Sequence, residues 1–155
     1  MALSVTELPP DDRHRLAPLL DAYAAEMRET LAGTHAAGGV AAAAMLAADP
    51  RAEVLLAAIA GEPVGFAIFF DLPEAVFARR CGALDDLFVR SDRRGAGIAR
   101  ALLGALRDLG RARRWSHLRW IVPEADRGAI ALYDRVAERA DWRSYVIRLD
   151  PEASL

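Results

Sequence analysis

Cysteine is almost missing: Cys81 stands alone in 155 residues. No intrachain disulfide can form, and a reducing cytoplasm is the simplest setting. Histidine is scarce too, and His14, His35 and His117 are so scattered that neither they nor the thiol make a metal-ligand spacing. Neither sign of charge prevails, since 20 basic residues meet 22 acidic ones for a formal net charge of −2. That excludes an overall basic field able to recruit nucleic acid or anionic membrane, so any attraction for anions must be local. No apolar run approaches the roughly 18 residues of a membrane span. The opening "MALSVTELPPDDRHR" also lacks a charged segment followed by an apolar one, as a secretory signal requires. The expectation is a soluble, unexported protein with no metal, no nucleic-acid partner and no membrane partner.

What is present is apolar material for one core. With 54% hydrophobic residues, the chain suits a single domain over 1–155. "LSVTEL" (3–8) alternates as a short strand, and "PPDD" punctuates it ahead of a helix carrying Leu16, Leu19, Leu20, Tyr23 and Met27 on one stripe. That helix should end before "GTHAAGG", and the alanine-rich 40–48 should form a second one. "EVLLAAIA" and "VGFAIFF" predict a hairpin turning at Gly61, Glu62 and Pro63, while 72–80 fits a loop or a short helical turn. "CGALDDLFV" (81–89) predicts a strand, Ile98, Leu102, Leu106 and Leu109 a helix ending near Gly110, and "SHLRWIV" (116–122) another strand. Strand, helix, strand in that order is a βαβ crossover with parallel strands. Ala129, Tyr133, Val136 and Ala137 share one face of a fourth helix, and "WRSYVIRL" (142–149) alternates as a final strand. The fold class is α/β, a mixed central sheet flanked by helices.

Between the two parallel strands lies "RSDRRGAGIAR" (90–100). A helix N-terminus presents unsatisfied N–H groups and partial positive charge, and glycines let an anion approach the backbone. Gly95 and Gly97 offer that access, and Arg93, Arg94 and Arg100 add local positive charge. The anion would be phosphate-like; a glycine turn with merely solvated arginines is the other reading. The spacing is neither G-x-G-x-x-G nor a phosphate loop ending in G-K-[ST].

"RGAGIA" (94–99) resembles the acetyl-CoA signature R/Q-x-x-G-x-G/A of the GNAT acetyltransferase superfamily, and "DRGAIALYDRVA" (126–137) resembles its second motif, N-x-x-A-x-x-x-Y. Ala129 and Tyr133 keep that second pattern; Asp126 stands where Asn is usual, and Ala137 and Glu138 replace the customary Gly-Phe. "GFAIFF", "LDDLFVRSDRRGAGIARALL" and "AIALYDR" are most similar to diamine and polyamine acetyltransferases of the spermidine/spermine type, with Asp85 in place of a Glu. The resemblance covers approximately residues 64–149.

The resemblance implies a single-domain GNAT fold whose parallel strands splay to admit acetyl-CoA as cosubstrate. Backbone groups of Leu87, Phe88 and Val89 would align the pantetheine arm, those of Arg94, Gly95, Ala96, Gly97, Ile98 and Ala99 would receive the pyrophosphate, and Asp126 would stand near the coenzyme. The implied reaction is acetyl transfer to a primary amine, plausibly a small diamine or polyamine, by direct attack. Tyr133 would then be the general acid at the thioester sulfur, because a phenol is a donor at neutral pH. Periodicity alone reads Tyr133 as an aromatic filling a helix face. Asp85 becomes a candidate base and Asp86 a candidate cation contact, although adjacent residues on an ideal strand point to opposite faces and only a bulge would bring both to one pocket. An exposed acidic strand start is the alternative. Glu26 on the first helix would line the acceptor pocket, or simply a wet face, as would Glu29.

Cys81 reads as a small buried hydrophobe before a strand, and the three histidines as surface or structural. Trp115, Trp120 and Trp142 with Arg111, Arg113 and Arg114 are too dispersed for an RNA surface; they read as packing tryptophans and solvated arginines. Similar proteins form dimers, so a homodimer is expected. An amino-acid or peptide N-terminal acetyltransferase, or a noncatalytic acyl-CoA-binding regulatory module, would use the same cradle.

Overall fold

The computed structural model describes residues 2–30 and 37–150. The strands are β1 (Leu3–Glu7), β2 (Glu53–Ile59), β3 (Glu62–Glu74), β4 (Arg79–Val89) and β5 (Leu118–Arg119), and the helices are α1 (Ala17–Thr30), α2 (Gly39–Ala48), α3 (Ile98–Ala112) and α4 (Arg127–Val136). A 3-10 segment, Pro10–Leu16, leads into α1. The sheet order is β1-β2-β3-β4-β5, antiparallel as far as β4 and parallel between β4 and β5.

The central strands are buried on both faces, which is why "EVLLAAI" is a continuous apolar run instead of an alternation. On one face Leu55, Ala57, Ala67, Phe69 and Leu84 pack beneath Ile98, Leu102 and Leu106 of α3. Those three recur every four residues and form a single stripe. On the other face Val54, Leu56, Phe66, Ile68 and Phe88 meet Leu16, Leu19 and Leu20, with Ala43 of α2. Gly39 is buried where α2 crosses α1, and its N–H donates to Asp21 Oδ1 at 2.6 Å.

Trp115 is held between glycines. A Cβ on Gly82 would overlap its ring, and one on Gly110 would come within 2.7 Å of Cε3. Gly82→Ala is therefore expected to destabilise the protein by about 1–3 kcal/mol through overpacking, checked by denaturant unfolding.

Four elements differ from the sequence reading. The β2–β3 turn is Ala60–Gly61, both at positive φ (52° and 79°), so Glu62 and Pro63 already belong to β3. Paired positive φ values match the right-handed twist of the flanking strands. Residues 72–80 are not a loop, because β3 and β4 run on as a hairpin through Glu74↔Arg79, where Glu74 accepts the Val76 and Phe77 amides. β5 is confined to Leu118–Arg119. The final strand expected over 142–149 is not formed, and every residue from Asp134 to Asp150 is exposed.

Candidate active site

β4 carries one residue more than β3 opposite it. Ile68 faces Asp86 and Phe69 faces Leu84, which leaves Asp85 as the extra residue of a β-bulge. The bulge removes the alternation that would have set the two carboxylates on opposite faces. They come close enough that Asp85 acts on Asp86 by charge and by hydrogen bonding. Asp85 is exposed and Asp86 half-buried.

Tyr23 of α1 donates its Oη proton to Asp86 Oδ1 at 2.9 Å. Burial pushes Asp86 up to about 6 from the ordinary 3.8; the bond from Tyr23 pulls the other way and the negative charge of Asp85 adds to the rise. Burial, followed by the Asp86 carboxylate, drives the Tyr23 phenol far above its usual range. Tyr23 thus keeps its proton and acts as a donor. Its ring is locked between Phe66 and Phe88, with centroids at 5.8 and 5.5 Å. Sequence reasoning placed Tyr23 only in the apolar stripe. The signal available was a lone phenol among leucines facing a strand that bears two acids.

Tyr133 sits on α4, half-buried, its ring edge-on to Trp120 at 5.3 Å and packed against the same core cluster as Leu87. Burial, then the charge of Asp126, raises its phenol to about 12. Its influence reaches Tyr23, so Tyr23, Asp85, Asp86 and Tyr133 form one neighbourhood. Asp126 is the N-cap of α4, and its carboxylate accepts from the Ala129 amide at 3.0 Å. A short acidic side chain at an N-cap satisfies one of the first amides of its own helix.

β5 pairs with β4 only at Gly82↔Leu118 and Ala83↔Arg119. Beyond Ala83 no residue of β4 pairs with β5, so Leu87, Phe88 and Val89 have no β5 partner on that side. After β4 the chain turns through Ser91–Arg93 and exposed residues 94–97 into α3. Gly95 and Gly97 have φ of 78° and 79°, a left-handed conformation that other residues adopt at a cost. Gly97 is the N-cap and no side chain caps the helix, so the first N–H groups of α3, at Ile98 and Ala99, point outward without an intrahelical acceptor. An uncapped helix start behind two glycines suits a pyrophosphate.

Arg94 is engaged by three neighbours through its guanidinium. Its Nε donates to the Val89 carbonyl at 3.0 Å, Nη2 to Glu26 Oε2 at 2.5 Å, and its guanidinium lies 5.7 Å from the Phe88 ring centroid. The expected acceptor contact Glu26 is thus paired with the coenzyme turn, linking α1 to the start of α3. Arg113 is not solvated as expected. It forks onto Glu53 at 2.8 and 2.7 Å and reaches Asp71 at 3.2 Å. Cys81 is buried, His14 Nδ1 donates locally to the Asp11 carbonyl, and His117 Nδ1 shares a hydrogen bond with Ser116 Oγ; His35 lies outside the described residues. Among the described residues no group of three or more His, Cys, Asp or Glu could hold a metal, and no helix is long and apolar enough to cross a membrane.

Parallel strands that part beside an uncapped, glycine-rich helix start, with a protonated phenol nearby, define an acyl-CoA-dependent acyltransferase. The sequence profile of the Acetyltransferase (GNAT) family matches residues 16–137, and the chain belongs to that family of N-acetyltransferases. It is 33% identical over 81 residues to the thialysine N-epsilon-acetyltransferase of Caenorhabditis elegans, an alignment covering 52% of this chain and 50% of the relative. The chain thus matches about half the length of that curated relative. Among solved structures, the ribosomal-protein-alanine N-acetyltransferase of Brucella melitensis biovar Abortus 2308 superposes with a TM-score of 0.81 at 39% identity, covering 96% of this chain and 100% of that one. The aminoglycoside acetyltransferase HMB0005 from an uncultured soil metagenomic sample gives 0.76 at 28% identity, over 97% and 100%.

Proposed function

We propose that this N-acetyltransferase acetylates the primary amine of a small cationic acceptor of the diamine or polyamine kind, in the cytoplasm and as a homodimer. The observation that supports the reading is the bulge in β4, which brings Asp85 and Asp86 into mutual contact instead of setting them on opposite faces of the strand. Acetyl-CoA supplies the activated acyl group as its thioester. Backbone groups of Leu87, Phe88 and Val89 hold the pantetheine arm, and those of residues 94–99 hold the pyrophosphate.

The acceptor arrives as an ammonium of pKa about 10.4 and must lose a proton before it can attack. Asp86, held near pH 6 by burial and oriented by Tyr23, is the group suited to receive that proton; exposed Asp85 attracts the cation. These roles are the reverse of those implied by resemblance, because burial and the Tyr23 bond fall on Asp86. Tyr133, protonated at neutral pH, donates its Oη proton to the departing sulfur. A second reading, acetylation of a peptide N-terminus, is favoured by the likeness to the alanine acetyltransferase structure.

An acceptor panel of diamines, polyamines, thialysine, aminoglycosides and an alanine-terminated peptide, scored by thiol release and product mass, tests the proposal. Acetylation of the peptide alone would replace the small-amine reading with the second one. In thermal unfolding, acetyl-CoA at about 100 times its Kd should add roughly 2.7 kcal/mol of stability. Gly97→Val, strained at its positive φ, should lose most of that shift, and Gly38→Ala, at a position with open space around it, should keep it.

A further inference from the structure

Two side chains of α1, three residues apart and therefore neighbours on one helix face, reach the strand and the turn of the candidate site. Tyr23 donates to Asp86 Oδ1 at 2.9 Å, and Glu26 Oε2 accepts from Arg94 Nη2 at 2.5 Å. Phe88 lies between the two bonds. Its ring centroid is 5.5 Å from that of Tyr23 and 5.7 Å from the Arg94 guanidinium. The contacts run without a break from the glycine turn to the acidic pair: Glu26 with Arg94, Arg94 on Phe88, Phe88 against Tyr23, and Tyr23 on Asp86.

The ion pair at the turn end of this series is readily exchanged. The Arg94 and Glu26 side chains are 46 and 35% exposed, and an ion pair open to water contributes little to stability. Arg90 and Arg93 are paired with Glu62, at the start of β3, and with Asp92, in the turn itself. Glu26 instead comes from a separate helix. The guanidinium it engages belongs to the turn whose left-handed Gly95 and Gly97 precede the uncapped start of α3. Carboxylate and phosphate oxygens take the same charge-assisted N–H donors of an arginine. A pyrophosphate, more highly charged than a carboxylate, is the stronger claimant.

We propose that Glu26 competes with the coenzyme for Arg94. It holds the guanidinium in the coenzyme-free enzyme and yields it to the pyrophosphate, and the carboxylate so released adds to the negative charge of Asp85 and Asp86 that a cationic acceptor meets. Glu26 is positioned for this second role because Tyr23, the residue that contacts Asp86, lies three positions before it on α1. Coenzyme and acceptor then strengthen each other's binding, each by the same factor. The inference rests on the placement of the pyrophosphate at residues 94–99 and on the cationic acceptor proposed above. It gives the acceptor site its full acidity only when the acetyl donor is in place.

Calorimetry with coenzyme A, which has no acetyl group to transfer, and with pantetheine, which lacks its phosphates, tests the competition by binding alone. Wild type should bind coenzyme A more tightly than pantetheine; equal affinities would overturn the placement of the pyrophosphate and the competition with it. Glu26→Gln should tighten coenzyme A binding about two- to fivefold, the gain from removing a weak competitor. It should leave pantetheine affinity and the melting temperature of the unliganded protein unchanged. Weaker or unaltered coenzyme A binding would overturn the competition and leave the pyrophosphate placement standing. Arg94→Gln should weaken coenzyme A binding and abolish the effect of Glu26→Gln, because the competition needs the guanidinium. A gain that persists in the double variant is plain charge repulsion and would also overturn the competition. Putrescine, titrated with and without saturating coenzyme A, reads the coupling: it should bind about two- to fivefold more tightly with coenzyme A in wild type and equally in Glu26→Gln. Equal binding in wild type would overturn the coupling to the acceptor. No putrescine binding in either state, with the Glu26→Gln gain intact, would overturn the small-cation reading and leave the competition for Arg94 standing.

Discussion

Replacing Tyr133 with phenylalanine is expected to leave the fold and acetyl-CoA binding in place and to lower turnover by about 10²- to 10⁴-fold. The contacts of Tyr133 are those of its ring, edge-on to Trp120 and against the core beside Leu87, and phenylalanine keeps them. What is lost is one proton, held to about pH 12 by burial and by the charge of Asp126. Single-turnover kinetics check the outcome, because they isolate the chemical step from product release. Unchanged single-turnover rates would reduce Tyr133 to packing. A fall in melting temperature without ligand would point to a structural hydroxyl instead.

Asp86→Asn is expected to cost about 10²-fold in kcat/KM at neutral pH and to recover partly as pH rises toward the amine range, where the acceptor deprotonates unaided. In the wild type kcat/KM should rise with pH through a limb near 6, the value to which burial lifts Asp86. That limb should be missing in the variant. Stability moves the opposite way. The carboxyl holds its proton more tightly folded (about 6) than unfolded (3.8), so its contribution is favourable below about pH 4 and is lost as pH rises from about 4 to 6. Above that range an ionised, half-buried carboxylate is a standing cost. Asn removes the cost and still accepts the Tyr23 hydrogen bond. The variant should therefore melt higher than wild type at pH 7, by on the order of 2 kcal/mol, and equally at pH 3.5. Asp85→Asn, at an exposed position, should show neither the stability gain nor the lost limb. It should raise KM for diamines more than for monoamines of the same length.

Much of the site was legible because its signals are local. A left-handed glycine before an apolar helical stripe reports an uncapped helix start whatever surrounds it, and "RGAGIA" reports it in six letters. Tyr133 was singled out by the likeness of 126–137 to the second family motif, since periodicity alone reads it as packing. Tyr23 was not legible, because its role comes from meeting Asp86 across 63 positions of chain, and nothing along either segment specifies that approach. Arg94 and Glu26 are the same case. Each looked like an independent site residue, and their ion pair joins positions 68 apart in the chain.

Sequence by itself determined the elements whose burial is one-sided or complete: the two-faced apolar strands, the α3 stripe, and the parallel crossover that follows from strand, helix, strand. It also determined the left-handed turn at Gly95 and Gly97, since φ preference belongs to a single residue. Tertiary structure alone decided where strands end and which side chains share a pocket. β5 pairs with β4 at Leu118 and Arg119 alone, although the apolar pattern runs on to Val122. Asp85 and Asp86 become neighbours because one extra residue in β4 is absorbed as a bulge against β3. The segment 142–149 has the alternation of a strand and forms none here, since a strand is completed by the edge it pairs with and local alternation does not supply that edge.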